Sequence, residues 1–311
     1  MTPLMRNLTV LLIVQLLLAL WLFSSSNNDI VSEPLLPKLT QADSLVLSSK
    51  DGELTLTKQG DNWQLANGLP VSQGKLDSLL RDLTALKSGW PVAQSSEAQG
   101  RFSVADDKFE QKLVLMQGEK VLHTLYLGDS PAFRQLYVRT DGDEAIYKAA
   151  LNRFELSAEE SAWLDKQLLR LPVVERIAQG ANSLSRQGDN WQLSLNGESH
   201  TADSAAARDL VAKLSSLSVL KRAEKAPLSS DITELNVRSS ARDYQYQLVK
   251  QDDTALIRRN DIEHWFELSQ SQFDQLQAID WLALQRSDEA QGDKLSEVAA
   301  SEQSDQPPSS D

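Results

Sequence analysis

The hexapeptide GDNWQL occupies residues 60–65 and recurs without change at residues 188–193. Each copy is followed within a few residues by an Asn-Gly dipeptide, at 67–68 and at 196–197. Asn-Gly is a typical turn sequence between two strands. An unchanged hexapeptide in equivalent surroundings predicts that one structural unit occurs twice along the chain.

Each copy of the hexapeptide leads into a stretch whose apolar residues have helical spacing, which predicts an amphipathic helix in each unit. Ser72 precedes the first stretch and Asp203 the second, and both residue types are favoured as helix N-caps. The apolar positions are Leu76, Leu79, Leu80, Leu83 and Leu86 in the first copy, and Ala207, Leu210, Val211, Leu214 and Leu217 in the second.

After each helix, apolar and polar residues alternate, which is typical of strands with one buried face. Turn dipeptides such as Asp141-Gly142 separate these runs, so we predict an antiparallel meander. Both meanders reach the tetrapeptide FELS, at 154–157 and 266–269. The predicted fold class is α+β, with two tandem duplicated modules, each an antiparallel β-meander with a covering amphipathic helix. Trp63 and Trp191, equivalent in the two copies, are predicted to pack in the cores.

An apolar stretch without charge begins at Leu8 and ends at Phe23. At about 1.5 Å per residue, this stretch and the three serines after it cover nearly 30 Å, which predicts a transmembrane helix. Arg6 precedes the stretch, whereas Asp29 and Glu33 follow it. The positive-inside rule therefore places the N-terminus in the cytoplasm and the bulk of the chain on the periplasmic side of the inner membrane. We expect an uncleaved signal anchor, and a cleaved signal peptide is the alternative.

The sequence thus predicts five segments. Residues 1–26 form the anchor, 27–39 a linker, 40–169 the first module and 170–286 the second. Residues 287–311 carry seven acidic residues, one Lys and no aromatic residue, a composition that predicts a disordered acidic tail.

Composition excludes several classes of function. The 311 residues include no cysteine, which rules out disulfides, cysteine-based metal sites and thiol nucleophiles. A formal charge of −13 argues against nucleic-acid binding, which needs clustered Lys and Arg. The three histidines, His123, His200 and His264, are too far apart in sequence for a zinc motif. No Gly-rich phosphate loop is present, so we expect neither a metal nor a cofactor.

One pair of motifs suggests catalysis. Gly-Asp-Ser at 128–130 and Asp-x-x-His at 261–264 resemble the blocks of GDSL-type esterases, in which the serine attacks and the histidine takes its proton. The oxyanion-hole block of those esterases is missing, and the composition of the first motif favours a hairpin turn over a catalytic serine. An envelope serine hydrolase that uses Ser130 and His264 is the alternative function.

Two further motifs have structural explanations. Ser-x-x-Lys at 72–75 lacks the companion motifs of penicillin-binding enzymes, and a helix N-cap accounts for its serine. The acidic run at 141–144 lacks the ligand spacing of a calcium loop, and a β-turn accounts for it. We therefore name no catalytic, cofactor-binding or metal-binding residue in the preferred interpretation.

The order of these landmarks resembles the DUF4340 family, a domain of unknown function. The similarity lies in the N-terminal anchor, Trp63-x-Leu65, the leucine-rich helix, Leu127-Gly128, and the run Leu136-Tyr137-Val138-Arg139 before an Asp-Gly turn. It covers most of residues 40–285 and is clearest in the first module. Members commonly accompany ABC transporter systems with a gliding-motility-type auxiliary subunit, so the resemblance implies an accessory role outside the cytoplasmic membrane. It implies no active site.

The preferred functional hypothesis is a non-enzymatic, single-pass membrane protein whose duplicated domain binds a protein partner, such as a transporter permease or an auxiliary subunit. Besides the hydrolase, a module that binds an envelope polymer or a small ligand is an alternative, and it requires a cleft lined by aromatic side chains.

Overall fold

A computed structural model of the chain describes residues 13–17 and 32–286. These residues belong to two compact units, one ending at Trp163 and the next beginning at Leu164. The sequence-based boundary, after residue 169, lies a few residues further along the chain.

Both predicted terminal segments fall largely outside the described residues. The predicted acidic tail, 287–311, lies outside them entirely, and the predicted anchor lies outside them except for residues 13–17, which are helical. In the described part of the chain, no helix combines the length and the apolar character needed to cross a membrane. The transmembrane helix stays a prediction.

The first unit contains one antiparallel sheet of seven strands in the order β3-β2-β1-β4-β5-β6-β7. Its first three strands form one meander and its last four another, and the two join where β1 pairs with β4. The strands are β1 (Ser44–Ser49), β2 (Gly52–Gln59), β3 (Asn62–Leu65), β4 (Gln111–Gln117), β5 (Lys120–Leu127), β6 (Leu136–Thr140) and β7 (Tyr147–Ala149). The helices are α1 (Gln73–Thr84), α2 (Ser96–Arg101) and α3 (Glu160–Trp163), with 3₁₀ turns at Leu39–Gln41 and Arg153–Leu156.

The core of the first unit contains leucines of the sheet and of α1. Leucines at alternate positions of β1 and β4 are buried, as are those on one stripe of α1, because alternate strand residues share a face and helix residues three or four apart share a stripe. Leu80, expected on the same helix face, is only half-buried. The buried leucines are Leu45, Leu47, Leu113 and Leu115 in the strands and Leu76, Leu79 and Leu83 in the helix.

The second unit contains an antiparallel sheet of nine strands in the order β11-β10-β9-β8-β13-β14-β15-β16-β12. The strands are β8 (Arg176–Gln179), β9 (Asn182–Gln187), β10 (Asn190–Leu195), β11 (Glu198–Thr201), β12 (Lys221–Arg222), β13 (Thr233–Ser239), β14 (Arg242–Gln251), β15 (Thr254–Arg259) and β16 (Phe266–Glu267). The helices are α4 (Ser204–Ser215) and α5 (Gln270–Gln277), with a 3₁₀ turn at Leu282–Leu284.

The two sheets share a central strand order. In each, a meander precedes a 12-residue helix, β1–β3 in the first unit and β8–β11 in the second. A strand beyond the helix then returns to pair with the first strand of the meander, β4 with β1 and β13 with β8. The repeated hexapeptide has the same place in both, as a two-residue turn followed by a strand. Gly60 and Gly188 open these turns with φ of 62° and 60°, a backbone conformation that favours glycine. The predicted α+β class with antiparallel sheets is confirmed.

The matched landmarks are not identical in structure. Trp63 is buried but Trp191 is only half-buried. The first FELS tetrapeptide lies mostly in a 3₁₀ turn, whereas the second contributes β16, in which Phe266 pairs with Ile257. The same four residues thus take different structures because their tertiary partners differ.

The two helix N-termini also differ. The Asp203 carboxylate accepts hydrogen bonds from the amides of Ala205 and Ala206, at 2.9 and 2.8 Å, as its N-cap position predicts. Ser72 stands at the N-cap of α1, but its side chain makes no capping bond. Its amide donates instead to the carbonyl of Trp163, at 2.7 Å, which joins the start of α1 to the end of the unit.

The leucines of α1 offer a matched test of this core. Leu79 is 0% exposed, so Leu79→Ala leaves a cavity and is expected to lower the free energy of unfolding of the first unit by about 2–5 kcal/mol. Leu80→Ala, at the half-buried neighbouring position, removes less buried area and is expected to cost about 1 kcal/mol. Hydrogen exchange of first-unit peptides in urea measures both losses, and equal losses would contradict the assigned helix face.

Candidate functional site

Two phenylalanine side chains of the first unit lie in solvent. Phe133, in the loop between β5 and β6, is 91% exposed, and Phe154, in the 3₁₀ turn before α3, is 80% exposed. Phenylalanine is usually among the buried residue types, and aromatic residues are enriched at protein–protein interfaces. We call Phe133, Phe154 and the cleft beside Phe154 the aromatic surface.

Side-chain contacts join the two segments that carry these phenylalanines. The Arg134 guanidinium lies 3.8 Å from a carboxylate oxygen of Glu155. Arg153 donates from Nη2 to the carbonyl of Gly128, at 3.4 Å. Phe133 directly precedes Arg134 and Phe154 directly precedes Glu155, so the two phenylalanines lie on neighbouring segments.

The cleft beside Phe154 is small, and most of the residues that line it are polar or charged. It has a volume of about 240 Å³. Across it, Lys50 Nζ lies 2.7 Å from Glu110 Oε1, and this hydrogen bond holds the pKa of Glu110 below its ordinary value. The Gln111 amide donates to the carbonyls of Arg153 and Leu156, at 3.2 and 3.1 Å, and so fixes the 3₁₀ turn to the start of β4. Ligand pockets usually exceed about 300 Å³, so this cleft suits one protein side chain better than a whole ligand.

The Gly-Asp-Ser motif shapes the loop that presents Phe133. A Cβ on Gly128 would lie 2.0 Å from the carbonyl oxygen of Phe102, so only glycine fits there. The Ser130 hydroxyl lies 2.8 Å from the carbonyl oxygens of both Ala132 and Gln135 and donates within this turn. The Ser130 hydroxyl therefore helps to close the turn.

The other half of the esterase-like pattern also has structural partners. Both carboxylate oxygens of Asp261 accept from Arg259, at 2.6 and 2.9 Å, whereas a triad-like arrangement would use this carboxylate to orient His264. Ser130 belongs to the first unit and His264 to the second. The hydrolase alternative stays a prediction.

The Ser-x-x-Lys motif and the acidic run at 141–144 both make contacts within the first unit. Lys75 Nζ donates to the carbonyl of Ala162, at 2.9 Å, and lies 4.3 Å from the centroid of the Trp163 ring. Asp143 accepts from the amide of Ala145, at 2.9 Å, within the turn before β7. In residues 13–17 and 32–286, no three His, Asp or Glu side chains are grouped so that they could hold a metal ion.

The three histidines lie on different elements of the structure. His123, on β5, is half-buried, and burial followed by the charge of Lys38 lowers its pKa. His200 lies on the edge strand β11, where its Nδ1 is 3.3 Å from the Gln285 amide nitrogen. His264 lies between β15 and β16 and is half-buried.

A buried polar cluster that the sequence did not predict fixes the start of the second unit. Tyr246 donates its hydroxyl hydrogen to the carbonyl of Leu169, at 2.5 Å, and burial raises the pKa of Tyr246 to about 12. Arg259, also buried, faces Tyr246 across the β14–β15 pair and lies over the Tyr244 ring. The hydrogen bond to Leu169 joins the first residues of the second unit to its sheet.

The DUF4340 family model, described as a domain of unknown function, matches residues 63–231, more than half of the chain. The chain belongs to the DUF4340 family. The match begins in β3 and ends just before β13, so it crosses the division between the two units. It includes both phenylalanines of the aromatic surface. Neither the curated proteins nor the solved structures gave a significant match.

The carboxyl group of Glu155, the residue after Phe154, is unfavourably placed for ionisation. Burial, followed by the nearby carboxylate of Asp82, raises the pKa of Glu155 above its ordinary 4.5. Its Oε2 is buried and accepts no hydrogen bond from the described residues. A carboxyl whose folded pKa is raised stabilises the fold below its unfolded pKa, and this contribution is lost as pH rises through the folded pKa.

Replacing Glu155 by glutamine should therefore have a pH-dependent effect. Glu155→Gln is expected to raise Tm at pH 7, where the ionised carboxylate opposes folding, and the gain should vanish near pH 4. Thermal unfolding at a series of pH values measures this. Glu159→Gln, at an exposed position nearby, is the control. A lower Tm for Glu155→Gln at pH 7 would show that the contact with Arg134 outweighs the cost of ionisation.

Proposed function

We propose that this protein is a non-enzymatic component of an ABC transporter system that binds a protein partner on the periplasmic side of the inner membrane. A single N-terminal helix anchors it, and the partner is a permease or an auxiliary subunit of the transporter. The exposure of Phe133 and Phe154 on segments joined by the Arg134–Glu155 contact carries the partner-binding part of this proposal. The apolar stretch at residues 8–23 and the transporter association implied by the family resemblance support the rest.

The aromatic surface has the features of a protein contact. Aromatic side chains bury about 150–250 Å² each and are frequent among the residues that dominate binding energy. The loop of Phe133 is fixed by the Ser130 hydroxyl and the turn of Phe154 by the Gln111 amide, so binding costs little ordering of the backbone. The cleft next to Phe154 can receive one side chain of the partner.

Comparison of the two units separates binding from folding. We infer that the units arose by duplication, because the hexapeptide, the central strand order and the covering helix recur. The matched tetrapeptide holds Phe154, 80% exposed, in the first unit and Phe266, 0% exposed, in the second. The phenylalanine of this tetrapeptide is therefore exposed in the first unit only, and the proposed binding role belongs to that unit.

The full-length, tagged chain in native membranes tests this proposal. Mild crosslinking followed by affinity purification is expected to recover a transporter permease or auxiliary subunit. Phe133→Ala with Phe154→Ala should reduce that recovery about 10-fold or more, since truncating hot-spot aromatics costs at least about 2 kcal/mol of binding. Leu228→Ala, at another strongly exposed apolar side chain, should leave recovery unchanged.

Two results would overturn the proposal. One is recovery of the tagged chain alone after crosslinking. The other is equal recovery of the partner with the double variant and with the unaltered chain. Because both phenylalanines are exposed, the double variant should keep its Tm, and a Tm measurement separates lost binding from lost folding.

A further inference from the structure

The start of the first unit is hydrogen-bonded to the segment that follows α1. The amide of Leu35 donates to the carbonyl of Leu86, at 3.0 Å, and the amide of Ser88 donates to the carbonyl of Glu33, at 2.8 Å. The Ser88 hydroxyl accepts from the Glu33 amide, at 3.0 Å. The chain therefore enters this unit beside Ser88.

Trp90 lies two residues beyond this entry point and is 82% exposed. On its other side, the amide of Val92 donates to the carbonyl of Ile146, at 2.7 Å, and the amide of Ile146 donates to the carbonyl of Ala93, at 2.9 Å. Trp90 thus stands on a short segment whose two ends are hydrogen-bonded to the unit. The fold holds this indole in solvent.

The connection to the predicted anchor is short. Five residues, 27–31, separate the predicted anchor segment from Ser32. An extended chain advances at most about 3.5 Å per residue, so the entry point lies no more than about 20 Å from the end of the anchor. Ser88 and Trp90 are therefore kept close to the membrane surface if residues 8–23 span it.

The chemistry around Trp90 suits a lipid surface. Indole rings favour the membrane–water interface, where the ring is apolar and its N–H finds a partner. Val92, 38% exposed, adds an apolar group. Residues 87–94 contain one Lys and no acidic residue, although the chain has a formal charge of −13, so this segment carries no carboxylate that anionic headgroups would repel.

We propose that Trp90 inserts into the headgroup interface of the bilayer that holds the anchor and so fixes this end of the first unit against the membrane. The inference rests on the membrane anchoring in the proposed function. It adds a second membrane contact that limits how the first unit can rotate about its linker.

Spin labelling of the full-length chain in vesicles tests the contact. The chain has no native cysteine, so each introduced cysteine is the only label site. Gly89→Cys places a nitroxide beside Trp90, where an added Cβ meets no atom within 4 Å. Ala132→Cys labels the exposed loop of Phe133, and Leu16→Cys labels the predicted anchor. The vesicles contain phosphatidylethanolamine and phosphatidylglycerol, with the chain as their sole protein.

Collisions with oxygen, which partitions into lipid, and with a water-soluble nickel chelate report the position of each label. The label at residue 89 is expected to lose most of its nickel collisions relative to the label at 132, while it keeps collisions with oxygen. Adding Trp90→Ala to Gly89→Cys should restore the nickel collisions. Equal nickel collisions at 89 and 132 would overturn the inference.

The label at residue 16 separates the two proposals. If it lies in lipid while the label at 89 lies in water, the result supports the membrane anchor and overturns the Trp90 contact. If the label at 16 lies in water, both fail. Protection at 89 that rises with the protein-to-lipid ratio would assign the contact to a second copy of the chain, which also overturns the inference.

Discussion

Pairing of the first strand with a strand beyond the helix is the constraint on which each unit depends. In the first unit, Leu45 faces Leu115 and Leu47 faces Leu113 across the β1–β4 pair, and this register places the four buried side chains on one face of the sheet. A shift by one residue would turn either set of leucines toward the opposite face. The β8–β13 pair of the second unit repeats this closure, with Ile177 opposite Val237.

The same sheet positions the aromatic surface. Phe133 lies in the connection between β5 and β6. Gly128, at the start of this connection, passes so close to the Phe102 carbonyl that no side chain fits there. Phe154 lies in a 3₁₀ turn. The Gln111 side chain, at the start of β4, donates hydrogen bonds to two carbonyls of this turn. Both phenylalanines are therefore exposed on structure that is already ordered, as a pre-formed binding surface requires.

Sequence periodicity predicted the helices and the antiparallel strands, because burial on one face leaves a regular spacing of apolar residues. The repeated hexapeptide predicted a unit that occurs twice. It did not predict the exposure of Phe133 and Phe154, since an apolar residue in a turn has the same pattern whether tertiary contacts bury it or not. Nor did it predict that the two FELS tetrapeptides differ, because β15 and β12 pair with the second one. The hydrogen bond from the Ser72 amide to the Trp163 carbonyl was likewise not predicted, because the two residues are distant in sequence.

Cysteine pairs across the two closures test the central claim directly. The pairs Val46→Cys with Val114→Cys and Ala178→Cys with Asn236→Cys stand opposite each other in the two sheets. Mild oxidation of the native full-length chain should close a disulfide in both, whereas Val46→Cys with Lys112→Cys, displaced by two residues, should not react, because such diagonal positions lie about 7–8 Å apart. Equal reaction of the displaced pair, or reaction in one sheet alone, would contradict the shared register.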